Sequence, residues 1–119
     1  MSTTESSDCI FCKIVAGEIP ATIVGESNEA IAMHDISPVG PTHVLVIPRR
    51  HVKDATEVGV AEAELLGELF ELANQVAQSE GIAESGFRLV ANVGDAAGNT
   101  VSHLHLHLIG GRDLSWPPG

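Results

Sequence analysis

From residue 103 to residue 108 the chain alternates strictly, with histidine at 103, 105 and 107 and leucine at 104, 106 and 108. Successive side chains of a β-strand point to opposite faces. The run over 101–109 therefore predicts a strand with a leucine stripe for a core and, on its other face, three imidazoles roughly 7 Å apart. Residues 42–47 are apolar and β-branched and are closed by Pro48, which predicts a buried strand. Residues 87–93 predict another, and 21–26 with 29–34 predict two short strands around a Ser27-Asn28 turn. The 3.6-residue period is strongest over 56–78, where Leu65, Leu69, Leu72 and Val76 form one stripe flanked by Leu66, Phe70, Ala73 and Ala77. Thr56 reads as the N-cap of this long helix and Gly81 as its stop. Residues 10–16 predict a short helix ended by Gly17. Proline and glycine mark 35–41 as a loop, and Gly98 does the same for 95–100.

The order is helix, three strands, long helix, two strands. Short connections favour antiparallel pairing, and one helix covering one sheet face makes an α+β domain. The chain of 119 residues has room for one core. We expect a flexible tail over 1–8 and the domain over 9–119. Tyrosine is absent and aromatic residues are few, so the core is built from Val, Ile, Leu and Ala. A formal charge of -10 argues against a nucleic-acid partner, although a few placed donors suffice for a small anion. Residues 1–8 lack a basic and apolar leader, and no run is long enough to span a bilayer. The expected setting is cytoplasmic with no membrane partner, so Cys9 and Cys12 are not read as a disulfide.

The chemistry concentrates on the histidines. Imidazole titrates near neutral pH, binds metals and attacks electrophiles. Beside the triad, the loop over 95–100 offers a glycine for close backbone approach and polar groups on Asn99 and Thr100, a setting that can cradle a phosphate. Cys9 and Cys12 form a Cys-x2-Cys pair with metal or redox potential, or are two ordinary buried cysteines. Zinc needs two further ligands, for which His51 and one member of the triad are the candidates. His34 reads as a core histidine. His43 lies on a strand of the same sheet, from which it could hydrogen-bond a triad imidazole and fix its tautomer.

These residues resemble the histidine triad (HIT) superfamily, whose mark is H-x-H-x-H-x-x with apolar x, here His103 to Ile109. Further motifs narrow the resemblance to its histidine triad nucleotide-binding (Hint) branch: Ile19-Pro20-Ala21, His34-Asp35-Ile36-Ser37-Pro38, Pro41-Thr42-His43 through Pro48, Gly110-Gly111-Arg112 and the closing Trp116-Pro117-Pro118-Gly119. The resemblance implies a HIT-like fold, a five-stranded antiparallel sheet with one long helix, joined in a homodimer into ten strands. It implies a purine nucleotide ligand, typically AMP. Asp35 would take the ribose hydroxyls, Ile36 would pack near the base, and Asn92, Gly98, Asn99 and Thr100 would surround the α-phosphate. His105 would be the nucleophile, His107 would contact the phosphate oxygens, His43 would support the relay, and Trp116 would approach the partner subunit's site. The expected activity is hydrolysis of purine nucleoside phosphoramidates through a nucleotidyl-histidine. Many eukaryotic Hint proteins carry Gln-Ser where this chain has Asn99-Thr100. Members with the Cys pair resemble zinc proteins, which assigns Cys9, Cys12, His51 and His103 to a structural Zn2+. Two other functions compete. Gly110-Gly111-Arg112 and the C-terminal motif argue against a dinucleoside polyphosphate hydrolase, and the intact triad argues against a nucleotide-binding scaffold with vestigial catalysis.

Overall fold

The computed structural model describes residues 8–119, so the tail read over 1–8 lies, apart from Asp8, outside the described residues. Five strands form one antiparallel sheet: β1 (Ile23–Glu26), β2 (Ala30–His34), β3 (Thr42–Pro48), β4 (Phe87–Val90) and β5 (Leu106–Gly110), in the order β1-β2-β3-β5-β4. Helix α1 (Ile10–Val15) and helix α2 (Ala63–Ser79) lie against it.

Period-2 alternation splits the core into two layers. Ala30, Ala32, Val44, Val46, Leu106 and Leu108 face the Leu65-Leu69-Leu72-Val76 stripe of α2. Ile31, Met33, Leu45 and Ile47 point the other way, onto Cys9, Phe11 and Cys12 of the α1 segment. The central strand β3 is thus buried on both faces, as its unbroken apolar run requires. The expected leucine stripe packs under α2, and the histidines lie on the α1 side.

Two expected elements differ. The helix read over 56–78 begins later, at Ala63, behind two 3-10 turns, Ala55–Glu57 and Val60–Glu62. Asp54, rather than Thr56, supplies the first cap, accepting the Thr56 amide at 2.9 Å. Gly59 breaks the run, and its amide donates to the Glu62 carboxylate at 2.8 Å. The stop at Gly81 stands, with φ +77.

The histidine strand is also shorter than expected. Its ladder with β3 starts at the Val46–Leu106 pair. Two residues further the register would set Leu104 against Pro48, which has no N–H to offer. The chain leaves the ladder there, the Leu104 amide donates to the Val52 carbonyl at 2.6 Å, and only His107 of the triad sits on a strand.

Candidate active site and metal centre

The departure at Pro48 gives the three triad histidines different surroundings. His103 turns fully inward, and its Nε2 donates to the Pro48 carbonyl at 2.9 Å. This leaves the Nδ1 lone pair facing Cys9 Sγ at 3.3 Å and Cys12 Sγ at 3.6 Å. His51 Nδ1 lies 3.3 Å from Cys12 Sγ. The four ligand atoms of Cys9, Cys12, His51 and His103 all fall within 4.8 Å of one another.

Tetrahedral zinc with ordinary Zn–S and Zn–N bonds sets sulfur and nitrogen roughly 3.5 Å apart, so this donor set fits the metal. The Pro48 carbonyl supplies the outer hydrogen bond that zinc-binding histidines generally make. Burial first, then the neighbouring His51 and His105, push His103 down to about 4 against the opposing Pro48 hydrogen bond. Its imidazole is accordingly neutral at physiological pH, the form a metal needs.

His105 is buried and donates from Nδ1 to the His103 carbonyl at 2.7 Å. A neutral imidazole with its proton on Nδ1 carries a bare lone pair on Nε2, the nucleophilic tautomer. His107 has the opposite arrangement. The Val39 amide donates to His43 Nδ1 at 3.1 Å, so His43 holds its proton on Nε2 and passes a hydrogen bond to His107 Nδ1 at 2.9 Å. His107 then keeps its proton on Nε2. The His105 and His107 rings stand 5.0 Å apart, centre to centre. One bare nitrogen and one N–H donor on neighbouring rings can attack an electrophilic phosphorus and hold an oxygen on it. Burial first, then His105 and His43, push His107 down to about 4, opposed by the Asp35 carboxylate.

An apolar cavity of about 580 Å³ adjoins this group, lined by Ile10, Phe11 and Ile14 of α1, Ile19 and Pro20, His34 at the end of β2, and Asp35 and Ile36 after it. Its size lies within the ~300–1,000 Å³ of small-molecule sites. Phe11 links cavity and triad, because its ring meets the His105 ring edge to face at 5.2 Å. Asp35 sits on the rim, with Oδ1 accepting the Ser37 amide at 2.7 Å and Oδ2 3.5 Å from His43 Nε2.

The predicted residues therefore divide. His43, His105, His107 and Asp35 are brought together, and Ile36 stands 97% exposed at the cavity mouth. Asn99 is half-buried after the 3-10 turn Asp95–Ala97, and its Oδ1 is buried with no hydrogen-bond partner among the described residues. Asn92 is half-buried just after β4, and Gly98 and Thr100 are exposed. Trp116 is 82% exposed on the C-terminal segment, which the Arg88 guanidinium ties to β4 by donating to the Ser115 carbonyl at 2.9 Å.

The cavity wall was not legible beforehand. Ile10, Phe11 and Ile14 are spaced as one helix face, which is the signal that marks it. His34 is exposed at the cavity rather than held in the core, because β2 ends there.

A five-stranded antiparallel sheet carrying these imidazoles on its α1 face defines a histidine triad protein. The HIT domain family model matches residues 16–114, and the chain belongs to that family. It is 46% identical to adenylylsulfatase HINT1 of Arabidopsis thaliana over 99% of this chain and 81% of that protein. It is 45% identical to the 14 kDa zinc-binding protein of Zea mays over 97% of this chain and 91% of that one. The crystal structure of a HIT family hydrolase from Legionella pneumophila superposes with a TM-score of 0.91 at 48% identity, covering 94% of this chain and 100% of that one. Among the described residues, no helix is long and apolar enough to cross a membrane.

Proposed function

We propose that this protein hydrolyses purine nucleoside 5'-phosphoramidates, with His105 as nucleophile. The observation that carries the reading is the His105 Nδ1 bond to the His103 carbonyl, which commits Nε2 to a lone pair beside a nucleoside-sized cavity. In the first step Nε2 attacks the α-phosphorus in line. The N–P bond forms, the bond to the leaving amine breaks, and its electron pair departs with the amine, which takes a proton through the His43–His107 network. In the second step water attacks the phosphorus of the nucleotidyl-histidine and returns a proton to the His43–His107 network, the N–P bond breaks with its electron pair going back to Nε2, AMP leaves and His105 is regenerated.

The chain's other residues have binding roles in this scheme. Asp35 accepts from the ribose diol, Ile36 and the α1 side chains cover the base, and the His107 N–H stabilises a phosphoryl oxygen. Asn92, Gly98, Asn99 and Thr100 complete the phosphate end, where the unpaired Asn99 Oδ1 awaits a donor. A cytoplasmic setting suits such a substrate. The Zea mays relative's description supports zinc on Cys9, Cys12, His51 and His103. With four protein ligands it is a closed structural ion, and no step of the reaction passes through it.

The Arabidopsis relative, an adenylylsulfatase, supports a second substrate class. Adenosine 5'-phosphosulfate presents the same phosphorus to His105 with sulfate as the leaving group. The test is a substrate panel of adenosine phosphoramidate, adenosine phosphosulfate and diadenosine polyphosphate, run with wild type and His105→Asn. Turnover of the phosphoramidate, lost by several orders of magnitude in His105→Asn while AMP binding persists, is expected, together with an adenylylated His105 by mass spectrometry. Preference for the diadenosine compound, or near-normal turnover by the variant, overturns the reading.

A further inference from the structure

We propose that Phe11 is a positioning residue that couples the Cys9-Cys12-His51-His103 centre to the His105 ring and to the cavity wall. The proposal rests on the reading of His105 as nucleophile. Phe11 is buried between the two cysteines in the chain, and its ring meets two histidines edge to face, His105 at 5.2 Å and 80° and His103 at 5.7 Å and 79°. The same side chain lines the cavity with Ile10 and Ile14.

The hydrogen bond from His105 Nδ1 to the His103 carbonyl holds one atom of the ring and leaves its swing open. Two rings abut it and limit that swing, Phe11 and, at 5.0 Å and 64°, His107. Phe11 in turn depends on α1, whose six residues are too few to hold a helix alone. Besides its apolar packing on Ile31, Met33, Leu45 and Ile47, α1 is fastened at this end by the proximity of Cys9 and Cys12 to His51 and His103. A metal held by these four groups therefore steadies Phe11, and Phe11 keeps the His105 ring where its Nδ1 bond to the His103 carbonyl fixes the reactive tautomer. Loss of the metal leaves α1 on its apolar contacts alone, and both His105 and the cavity wall loosen together.

The decisive measurement is side-chain 15N NMR of zinc-supplied protein, which reads the His105 tautomer without reference to activity. Wild type is expected to show a single form with Nδ1 protonated. Phe11→Leu, which keeps an apolar wall, should bring up a second form and lower kcat about twofold to tenfold, the worth of one aromatic edge contact, with KM close to wild type. Phe11→Ala should raise KM as well, since the wall is gone. Chelated wild type should reproduce the Phe11→Leu signature and weaken AMP binding, and chelating Phe11→Leu should add little to its tautomer mixture. An unchanged His105 signal in Phe11→Leu, or in chelated wild type, overturns the coupling. If wild type hydrolyses no phosphoramidate but the tautomer responds as described, the substrate reading fails and the coupling stands.

Discussion

His43 Nε2 lies 2.9 Å from His107 Nδ1, and the Val39 amide on the far side of His43 makes that bond run one way. An amide N–H only donates, so His43 Nδ1 must accept and Nε2 must carry the proton. This has a second consequence. The ligand atoms of Asp35, His43 and His107 are as closely gathered as those of the cysteine cluster. A metal there would need the lone pair that the proton on His43 Nε2 occupies, so this group works as a hydrogen-bond chain. The two clusters, one at each end of the triad, are kept chemically distinct by backbone partners, the Val39 amide and the Pro48 carbonyl.

The depressed His107 pKa sets a pH dependence of stability. In the unfolded chain this histidine takes up a proton below its ordinary value of 6.5, whereas in the folded protein burial, with His105 and His43 nearby, delays uptake to about 4. The unfolded state then binds more protons, so the contribution of neutral His107 is intact above pH 6.5 and is lost progressively as pH falls toward 4. Denaturation midpoints measured from pH 8 to 4 should fall more steeply in wild type than in His107→Gln. Parallel slopes would remove His107 as a titrating group.

Metal content and stability should move together. Elemental analysis is expected to find about one zinc per chain, by the four-ligand rule, and no second ion at Asp35-His43-His107. Cys12→Ser removes one thiolate and leaves three donors. Because metal binding energy is folding energy, loss of several kcal/mol should lower Tm by about 10 °C or more. Calorimetry with and without chelator checks this, and a metal-free protein melting with wild type would return the cysteines to ordinary core residues.

A dimer is expected in solution. β4 is one of the sheet's two edges, β1 being the other; among the described residues it pairs only with β5, and its outer backbone groups offer a template for a second copy. The Arg88–Ser115 bond holds the segment bearing the exposed Trp116 beside that edge. Sedimentation at micromolar concentration should give twice the chain mass, and Leu89→Pro, which deletes a backbone N–H from this edge strand, should give monomers. A wild-type monomer would also take away the role given to Trp116.

Much of this was legible in the chain, where the signal is local. The leucine stripe at 104, 106 and 108 and the α2 stripe needed only their periods. The Cys-x2-Cys pair announced a donor set, although choosing His103 over the other triad members needed the resemblance. What escaped was non-local. His103 and His105 leave the ladder because a proline on β3, more than fifty residues away, comes opposite in register. The helix broke at Gly59 because Asp54 and Glu62 paired with the backbone first. The cavity arises where α1 meets the end of β2, a meeting that no window of sequence contains.

Gly111 offers the sharpest mutational test of how the fold reaches the site. Its φ is +87, a region that side chains with a Cβ avoid, and a Cβ built there would lie 2.8 Å from Pro41 Cβ. Neighbouring Gly110 meets Ile82 Cδ1 at 2.7 Å, the movable end of a side chain, and its φ is not positive. Gly111→Ala should therefore destabilise by about 2–4 kcal/mol, from backbone strain plus overpacking, and by more than Gly110→Ala. The damage should also reach the chemistry. The turn at Gly111 aims Arg112, whose Nε donates to the Val39 carbonyl at 3.0 Å and so steadies the loop whose amide orients His43. Under conditions where Gly111→Ala remains folded, kcat should fall while AMP affinity changes little, since the cavity wall is built from α1 and β2. Urea denaturation and steady-state kinetics read the two effects separately. Stability within about 0.5 kcal/mol of wild type, the range of an ordinary surface change, would show that the turn carries no such strain.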